Sequence, residues 1–258
     1  SRRISRPRTR QLNPFPSYSD PLNLRVGNPF LLPEYTNSLE LSYAHQTKKT
    51  TLTSSLYYKD INDVISRVKT VDTLGVSTLT YSNLSSMESY GLEVILVSKL
   101  SKAWSMNLSG NAFQTRQEVG DRELGSDLNT SAIGWSAKAM STWKLDHDLQ
   151  IQVSARYRAP RLLLQGDISA MWWADLAAKK GIFDNKGSIG IRVTDVFNTR
   201  EFTFYSFGTG FEQESLRKRE SQNVFLTFSY NFGKLEERSR RGGSRDVDGG
   251  GMDEIGID

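Results

Sequence analysis

The chain has 258 residues, with no Cys, five Trp, ten Tyr and twelve Phe, 37% hydrophobic residues and a formal net charge of +4. The lack of Cys excludes disulfide frameworks and thiolate metal sites, and so small a charge excess does not by itself argue for nucleic acid. No run of 18 or more apolar residues occurs, so no transmembrane helix is expected, and a mean hydropathy of −0.48 suits strands that alternate apolar and polar positions.

The chain opens with Ser1-Arg2-Arg3-Ile4-Ser5-Arg6-Pro7, without an initiator Met or an apolar leader, so a fragment of a longer exported protein is expected. A first strand is assigned to about 1–7. Arg2, Arg3, Arg6, Arg8 and Arg10 read as arginines of that strand and its rim rather than as a nucleic-acid arm. A long connection over 8–36 leads to strands at 37–46 and 50–66, separated by the short turn Thr47-Lys48-Lys49. A second long connection, 67–77, precedes a strand at 78–100 and the turn Ser101-Lys102-Ala103.

Four later segments alternate more clearly. In the first, Trp104, Met106 and Leu108 oppose Ser105, Asn107, Ser109 and Asn111. In the second, Ile133, Trp135, Ala137, Ala139, Trp143 and Leu145 oppose Lys138, Thr142 and Lys144. After the turn Asp146-His147-Asp148, Leu149, Ile151, Val153, Ala155 and Tyr157 oppose Gln150, Gln152, Ser154, Arg156 and Arg158. Strands at 170–180 and 187–204 flank the turn Asp184-Asn185-Lys186. The last strand places Val224, Leu226, Phe228, Tyr230 and Phe232 on one face and Thr227, Ser229 and Asn231 on the other, with Phe225 as the exception. Side chains alternate across a strand with period 2, so each segment has one apolar and one polar face. Each is close to the about 9–11 residues with which a tilted strand crosses a bilayer.

About ten strands result. The long connections at 8–36, 67–77, 118–130, 159–169 and 205–221 interleave strictly with the short turns. Outer-membrane barrels have short periplasmic turns and longer extracellular loops. Counting back from Phe232 at the periplasmic face puts every short turn on the periplasmic side. The expected fold is therefore all-β: an antiparallel transmembrane β-barrel portion over 1–232, followed by a Gly- and charge-rich, disordered periplasmic tail over 233–258. A soluble β-sandwich, including a carbohydrate-binding one, also alternates. It would not bury mid-strand charges such as Glu93, Lys138, Arg156 and Arg192, which an aqueous lumen accepts. Nor would it need strands as long as 50–66 and 78–100.

Several segments carry a family resemblance. They are Arg6-Pro7-Arg8 with Gln11-Leu12-Asn13-Pro14-Phe15, Gly27-Asn28-Pro29, Leu32 to Leu41, Tyr90-Gly91-Leu92-Glu93, Thr194 to Arg200, and the closing aromatic strand. Together they resemble the C-terminal half of TonB-dependent receptor barrels of the Bacteroidetes type. The segment 27–41 is the most specific of them. The resemblance covers about 1–232. It implies a bacterial outer-membrane location and a parent barrel of about 22 strands around a plug, of which these strands are the C-terminal part. The implied function is import of a scarce solute, such as an iron chelate, cobalamin, glycan or peptide. The implied partners are outer-membrane lipid and lipopolysaccharide, TonB through a missing N-terminal part, the barrel-assembly machinery through the last strand, and a surface lipoprotein. The alternative reading is a small autonomous barrel acting as porin, adhesin or structural anchor, closed by pairing 1–7 with 223–232.

Candidate sites follow from position. Phe202, Phe204, Tyr205, Phe207 and Phe211 lie with Gly208 and Gly210 on the expected extracellular side, as candidates for a substrate-contacting loop. Glu93, Lys138, Arg156 and Arg192 are the lumenal polar candidates. Trp104, Trp135, Trp143, Tyr157 and Tyr230 are the membrane-girdle candidates, because aromatics gather at both membrane interfaces. Val224, Leu226, Phe228, Tyr230 and Phe232 form the barrel-closing strand. His45 and His147 are the only histidines. No Ser-His-Asp arrangement can be assembled from them on one surface, and His147 reads as part of a polar turn. No enzyme activity, cofactor, metal or nucleic-acid partner is expected.

Overall fold

The computed structural model describes residues 1–119, 130–163, 165–208 and 210–232. In chain order the elements are β1 (Arg2–Ser5), one helical turn α1 (Thr9–Leu12), β2 (Ser17–Asp20), β3 (Asn23–Arg25), β4 (Glu34–Gln46), β5 (Thr50–Val71), β6 (Ser77–Lys99), β7 (Trp104–Val119) and β8 (Thr130–Leu145). They continue with β9 (Leu149–Arg158), β10 (Arg161–Leu163), β11 (Gly166–Ile168), β12 (Met171–Ile182), β13 (Gly187–Val193), β14 (Phe202–Gly208), β15 (Phe211–Arg217) and β16 (Val224–Tyr230). Ten of the strands form one sheet in the order β1-β4-β5-β6-β7-β8-β9-β12-β13-β16. Every neighbour along this path is antiparallel. The hairpin β2–β3 joins the sheet from the side through a short parallel pairing with β6. A second, four-stranded sheet has the order β10-β11-β14-β15.

Local chemistry sets the boundaries. Pro7, Pro14, Pro16, Pro21, Pro29, Pro33 and Pro160 all fall between strands, because proline cannot donate to a ladder. Short turns close one end of the sheet. The Thr47 hydroxyl accepts from the Thr50 amide at 2.9 Å, and Ser101 Oγ accepts from the amides of Ala103 and Trp104 at 3.1 and 3.0 Å. His147 and Asp148 have φ of 61° and 56°, and Phe183, Asp184 and Asn185 also have positive φ, as tight hairpin turns require.

The structure corrects several boundaries. The expected single strand 187–204 is two elements in different sheets: β13 ends at Val193, and β14 starts at Phe202. The expected connection 67–77 is largely strand, since β5 runs to Val71 and β6 begins at Ser77. The connections 159–169 and 205–221 contain β10, β11, β14 and β15, and 8–36 contains α1, β2 and β3. The first strand spans Arg2–Ser5 rather than 1–7. Residues 120–129 of the expected loop 118–130, and the expected tail 233–258, lie outside the described residues.

Strand β5 has 22 residues and β6 has 23, about twice what a bilayer crossing needs, so their far halves extend past the other strands. Their register shifts between Ile61 and Val64, where Asp63 has φ 58°. Asn83 and Glu34 clamp this bulge. Asn83 Nδ2 donates to the carbonyls of Asp63 and Leu32 at 2.6 and 3.0 Å, and the Ile65 amide donates to Glu34 Oε1 at 2.8 Å. Below it, the amides of Gly27 and Asn28 donate to the carbonyls of Asn13 and Gln11. These bonds show what the distinctive segments around Gln11–Asn13 and 27–34 do: they fold over each other and brace β6.

Candidate functional site

Following the register from strand to strand assigns each side chain to one of two faces. Glu93 pairs with Ser55 and Asn111, Asn111 with Ser136, and Ser136 with Arg158. Lys138 pairs with Ser109 and Arg156, and Arg156 with Trp173. Ala177 pairs with Arg192, and Arg192 with Phe225. Directly paired residues project to the same side of a sheet. Glu93, Lys138, Arg156 and Arg192 therefore share one face with Ser, Asn, Gln and Thr neighbours, and so does Phe225.

The opposite face is apolar. It carries Trp104 paired with Trp143, Trp135 stacked on Tyr157 at 4.5 Å, and Tyr230 in edge contact with Phe183 at 5.8 Å. Trp104 Nε1 donates to Ser141 Oγ at 2.8 Å. Trp104, Trp143 and Tyr230 sit near the short turns, whereas Trp135 and Tyr157 sit near the other end. Val224, Leu226, Phe228 and Tyr230 also lie on this face, and Phe232, just beyond β16, packs on Tyr230 at 4.8 Å. Leu39, Ile133 and Leu226 are 73%, 72% and 80% exposed. The buried apolar side chains among the described residues are only Leu31, Val68, Tyr81 and Trp173. A water-soluble sandwich would bury such an apolar face between its sheets; a membrane wall exposes it.

On the polar face, aromatic rings lie over glycines of the next strand. Tyr57 is the register partner of Gly91, and its hydroxyl passes over that residue to donate to Asn111 Oδ1 at 3.1 Å. A Cβ at Gly91 would stand 2.6 Å from the Tyr57 oxygen and 2.7 Å from the Ala112 carbonyl. Phe113 covers its own partner Gly134 in the same way. This accounts for Tyr90-Gly91-Leu92-Glu93: Tyr90 and Leu92 lie on the apolar face, Gly91 admits the ring, and Glu93 joins the polar face.

Near the long-connection end, Trp173, only 5% exposed, contacts two guanidinium groups. The Cζ atoms of Arg156 and Arg200 are 5.6 and 4.9 Å from its ring. Asp175 accepts from Arg192 Nη2 at 3.2 Å and from the Asp195 amide at 3.0 Å. Asp195, with φ 46° and 1% exposure, organises the segment Thr194 to Arg200. Its carboxylate accepts from the amides of Thr199 and Arg200 at 3.0 and 3.1 Å and from the Ser221 hydroxyl. Thr199 Oγ1 donates to the Trp172 carbonyl, and Thr194 Oγ1 to the Ser221 carbonyl, both at 2.7 Å. This knot ends β13 and sends the chain into the second sheet. Sequence reasoning missed Trp173, Asp175 and Arg200; the only signal was the Asp-containing motif itself.

The aromatic hairpin β14–β15 does not form one surface. Phe202 and Phe204 share a face with Phe211, which is the register partner of Gly208. Tyr205 and Phe207 point the other way and are 38% and 46% exposed. Period-2 alternation divides the cluster that the sequence presents as one. Lys69, on the extension of β5, ties the two sheets together. Its amide donates to Gln165 Oε1 at 2.9 Å, and Gln165 Nε2 returns to the Lys69 carbonyl at 3.3 Å. Its ammonium donates to Gln213 and lies 4.8 Å from the Phe211 ring centre. Burial holds the Lys69 pKa below the usual lysine range. On the exposed side, the hydrogen bond to Glu214 raises the Tyr205 phenol pKa.

Ten two-faced strands in sequential antiparallel order match what is found in known proteins. Residues 1–230 match the outer membrane protein beta-barrel family. The chain belongs to that family. It resembles the copper transporter OprC with a TM-score of 0.63 and 13% identity, over 89% of this chain and 36% of that one. The ferric yersiniabactin uptake receptor FyuA from Yersinia pestis gives a TM-score of 0.55 and 13% identity, over 79% and 31%. The FrpB iron transporter from Neisseria meningitidis gives 0.51 and 13%, over 78% and 32%. No curated protein matches the chain. At these identities the likeness is one of fold, and the chain spans about a third of the length of these structures. The resemblance to TonB-dependent receptor barrels is met at that level, and the family places the outer membrane protein beta-barrel chain in the bacterial outer membrane.

Proposed function

We propose that this chain forms part of the wall of an outer-membrane receptor that imports a scarce solute, with energy delivered through TonB. The apolar face meets lipid and lipopolysaccharide, and the polar face lines the lumen. The ends carrying short turns are periplasmic. The second sheet, with Phe202, Phe204, Tyr205, Phe207 and Phe211, stands on the extracellular side as part of the solute entrance. The barrel-assembly machinery recognises β16, and a surface lipoprotein assists capture.

The observation that carries this reading is the separation of faces. One face bears two levels of Trp and Tyr about 25 Å apart along the strand (Trp135 to Trp143, eight residues at roughly 3.3 Å each), and the other bears Glu93, Lys138, Arg156 and Arg192. That is the pattern of a barrel whose interior is aqueous. Strands β1 and β16 lie at the two edges of the ten-strand path and do not pair with each other among the described residues, which favours a larger barrel over an autonomous ten-stranded one.

The test is deletion of the gene in its host, followed by uptake assays with labelled iron chelates, cobalamin, oligosaccharides and peptides, with and without a protonophore. Loss of energised uptake of one class is the expected result. Unchanged uptake of every class, with the outer membrane intact, rejects the reading.

A further inference from the structure

We infer that the polar face holds an oxyanion-binding patch built on Lys138, Arg156, Arg158 and Arg200 around Trp173, and that the imported solute presents a carboxylate-like or phosphate-like group to it. This inference deepens the transport reading and rests on it for the identity of the occupant.

The register brings three of the cations together. Lys138 and Arg156 are direct partners across β8 and β9, and Arg158 follows two residues later on the same face. Directly opposed side chains have Cβ atoms about 5 Å apart, and like charges placed so are destabilising. Nearby carboxylates are engaged elsewhere. Asp175 is engaged by Arg192 and by the Asp195 amide, and Asp195 is saturated by Thr199, Arg200 and Ser221. Among the described residues no carboxylate pairs with Lys138, Arg156, Arg158 or Arg200. Among the described residues the four cations therefore have no carboxylate partner, and they stand beside a water-filled lumen.

Stacking restrains two of the arginines. The near-buried Trp173 indole holds the guanidinium groups of both Arg156 and Arg200. A guanidinium held by its face keeps its N–H edges free, and those edges match the two oxygens of a carboxylate or phosphate. Cation–π contact also removes part of the entropy that a free arginine would lose on binding. Ser136, the partner of Arg158, and Ser154, the partner of Asp175, add hydroxyl donors beside the patch.

The experiment uses the full-length protein purified in detergent at low ionic strength, with citrate as the probe in isothermal titration calorimetry. One citrate site is expected, weakening as salt is added. Arg156→Gln and Lys138→Gln should each bind about tenfold more weakly, since charge-assisted contacts are the strong ones. Arg156→Lys should also weaken binding, because it keeps the charge without the planar fork. The double variant Lys138→Gln/Arg156→Gln should lose binding and melt no lower than the parent in citrate-free buffer, since a repulsion has been removed.

Absence of citrate binding by the parent overturns the inference, as does equal binding by the double variant. A double variant that melts lower and becomes protease-sensitive also overturns it, by showing that the cations hold an acidic segment of the same protein. If the gene proves necessary for uptake of a neutral solute, the inference fails while the transport reading stands. If citrate binds as described but no uptake depends on the gene, the transport reading fails and the patch remains.

Discussion

Gly134 lies directly under the ring of Phe113, and a Cβ there would come within 2.6 Å of the ring carbon Cζ. Gly134→Ala should therefore destabilise the protein by about 1–3 kcal/mol, the range for overpacking. The three nearest atoms all belong to the Phe113 ring, so Phe113→Ala should relieve most of the clash. A double-mutant cycle on urea unfolding in micelles should show coupling of at least about 0.5 kcal/mol, and additive effects would refute the contact. Asp195 makes a different prediction. Asp195→Ala leaves the part-buried amides of Thr199 and Arg200 without their acceptor, at up to about 1–3 kcal/mol, the range for an unsatisfied group. It should also make the Phe202–Arg217 hairpin a site of early proteolysis, because the knot at Asp195 positions it. An unchanged digestion pattern would show that the hairpin is held by Lys69 and Gln165 alone. Neither Gly134 nor Asp195 could be recognised as special from composition, since each acts through a residue on another strand or in a distant segment.

At the scale of the element, β16 offers the sharpest comparison. Leu226 lies on the apolar face and Thr227, its neighbour in sequence, on the polar face opposite Gly190. Leu226→Arg should reduce folding into lipid vesicles by about 2–4 kcal/mol, the range for a cation on a lipid-facing position. Thr227→Arg should have little effect on folding. Equal penalties would invalidate the assignment of faces. Replacing Phe202–Arg217 with a short Gly-Ser turn should leave the ten-strand sheet assembled, as judged by far-ultraviolet circular dichroism, while removing uptake of the solute. Retained uptake would remove the hairpin from the entrance.

Element boundaries were legible where the bilayer dictates them. The alternation of Leu149 to Arg158 and of Val224 to Tyr230 marks β9 and β16 closely. Outside that band nothing requires one face to be apolar, and the strand signal fades. Residues 67–71 of β5 and Ser77 of β6, all of β10, β11 and β15, and residues 205–208 of β14 were read as connections for that reason. The merged strand 187–204 had the opposite cause. Alternation of Ile189, Ile191 and Val193 against Gly190, Arg192 and Thr194 runs straight into the Asp195 turn, and nothing local marks the positive φ at which the chain leaves the sheet.

For the whole molecule, the ten-strand path leaves one side of β1 and one side of β16 unpaired among the described residues. An open sheet edge does not persist in hydrocarbon, where every backbone group must be satisfied. The proposal that these strands belong to a larger barrel predicts that the isolated 258-residue chain aggregates on dilution from denaturant into detergent and shows no heat-modifiable migration on electrophoresis. The longer protein containing it should show both folding and heat modification. A sharply folding, heat-modifiable isolated chain would instead support an autonomous barrel.

What the amino-acid order determined by itself was the two-faced strand, the number of barrel strands and the parity of short and long connections. These depend on period-2 geometry and bilayer thickness, and both act within ten or so consecutive residues. The family resemblance was legible for a related reason, since its motifs are short runs of consecutive residues around Gln11–Asn13, Gly27–Glu34, Gly91 and Asp195. Only the tertiary structure decided which polar residues meet. Lys138, Arg156, Trp173 and Arg200 come together because three strands align in one register and a loop 27 residues after Trp173 folds back over its ring. Pairing register and loop return are properties of the assembled sheet, and no single strand contains them.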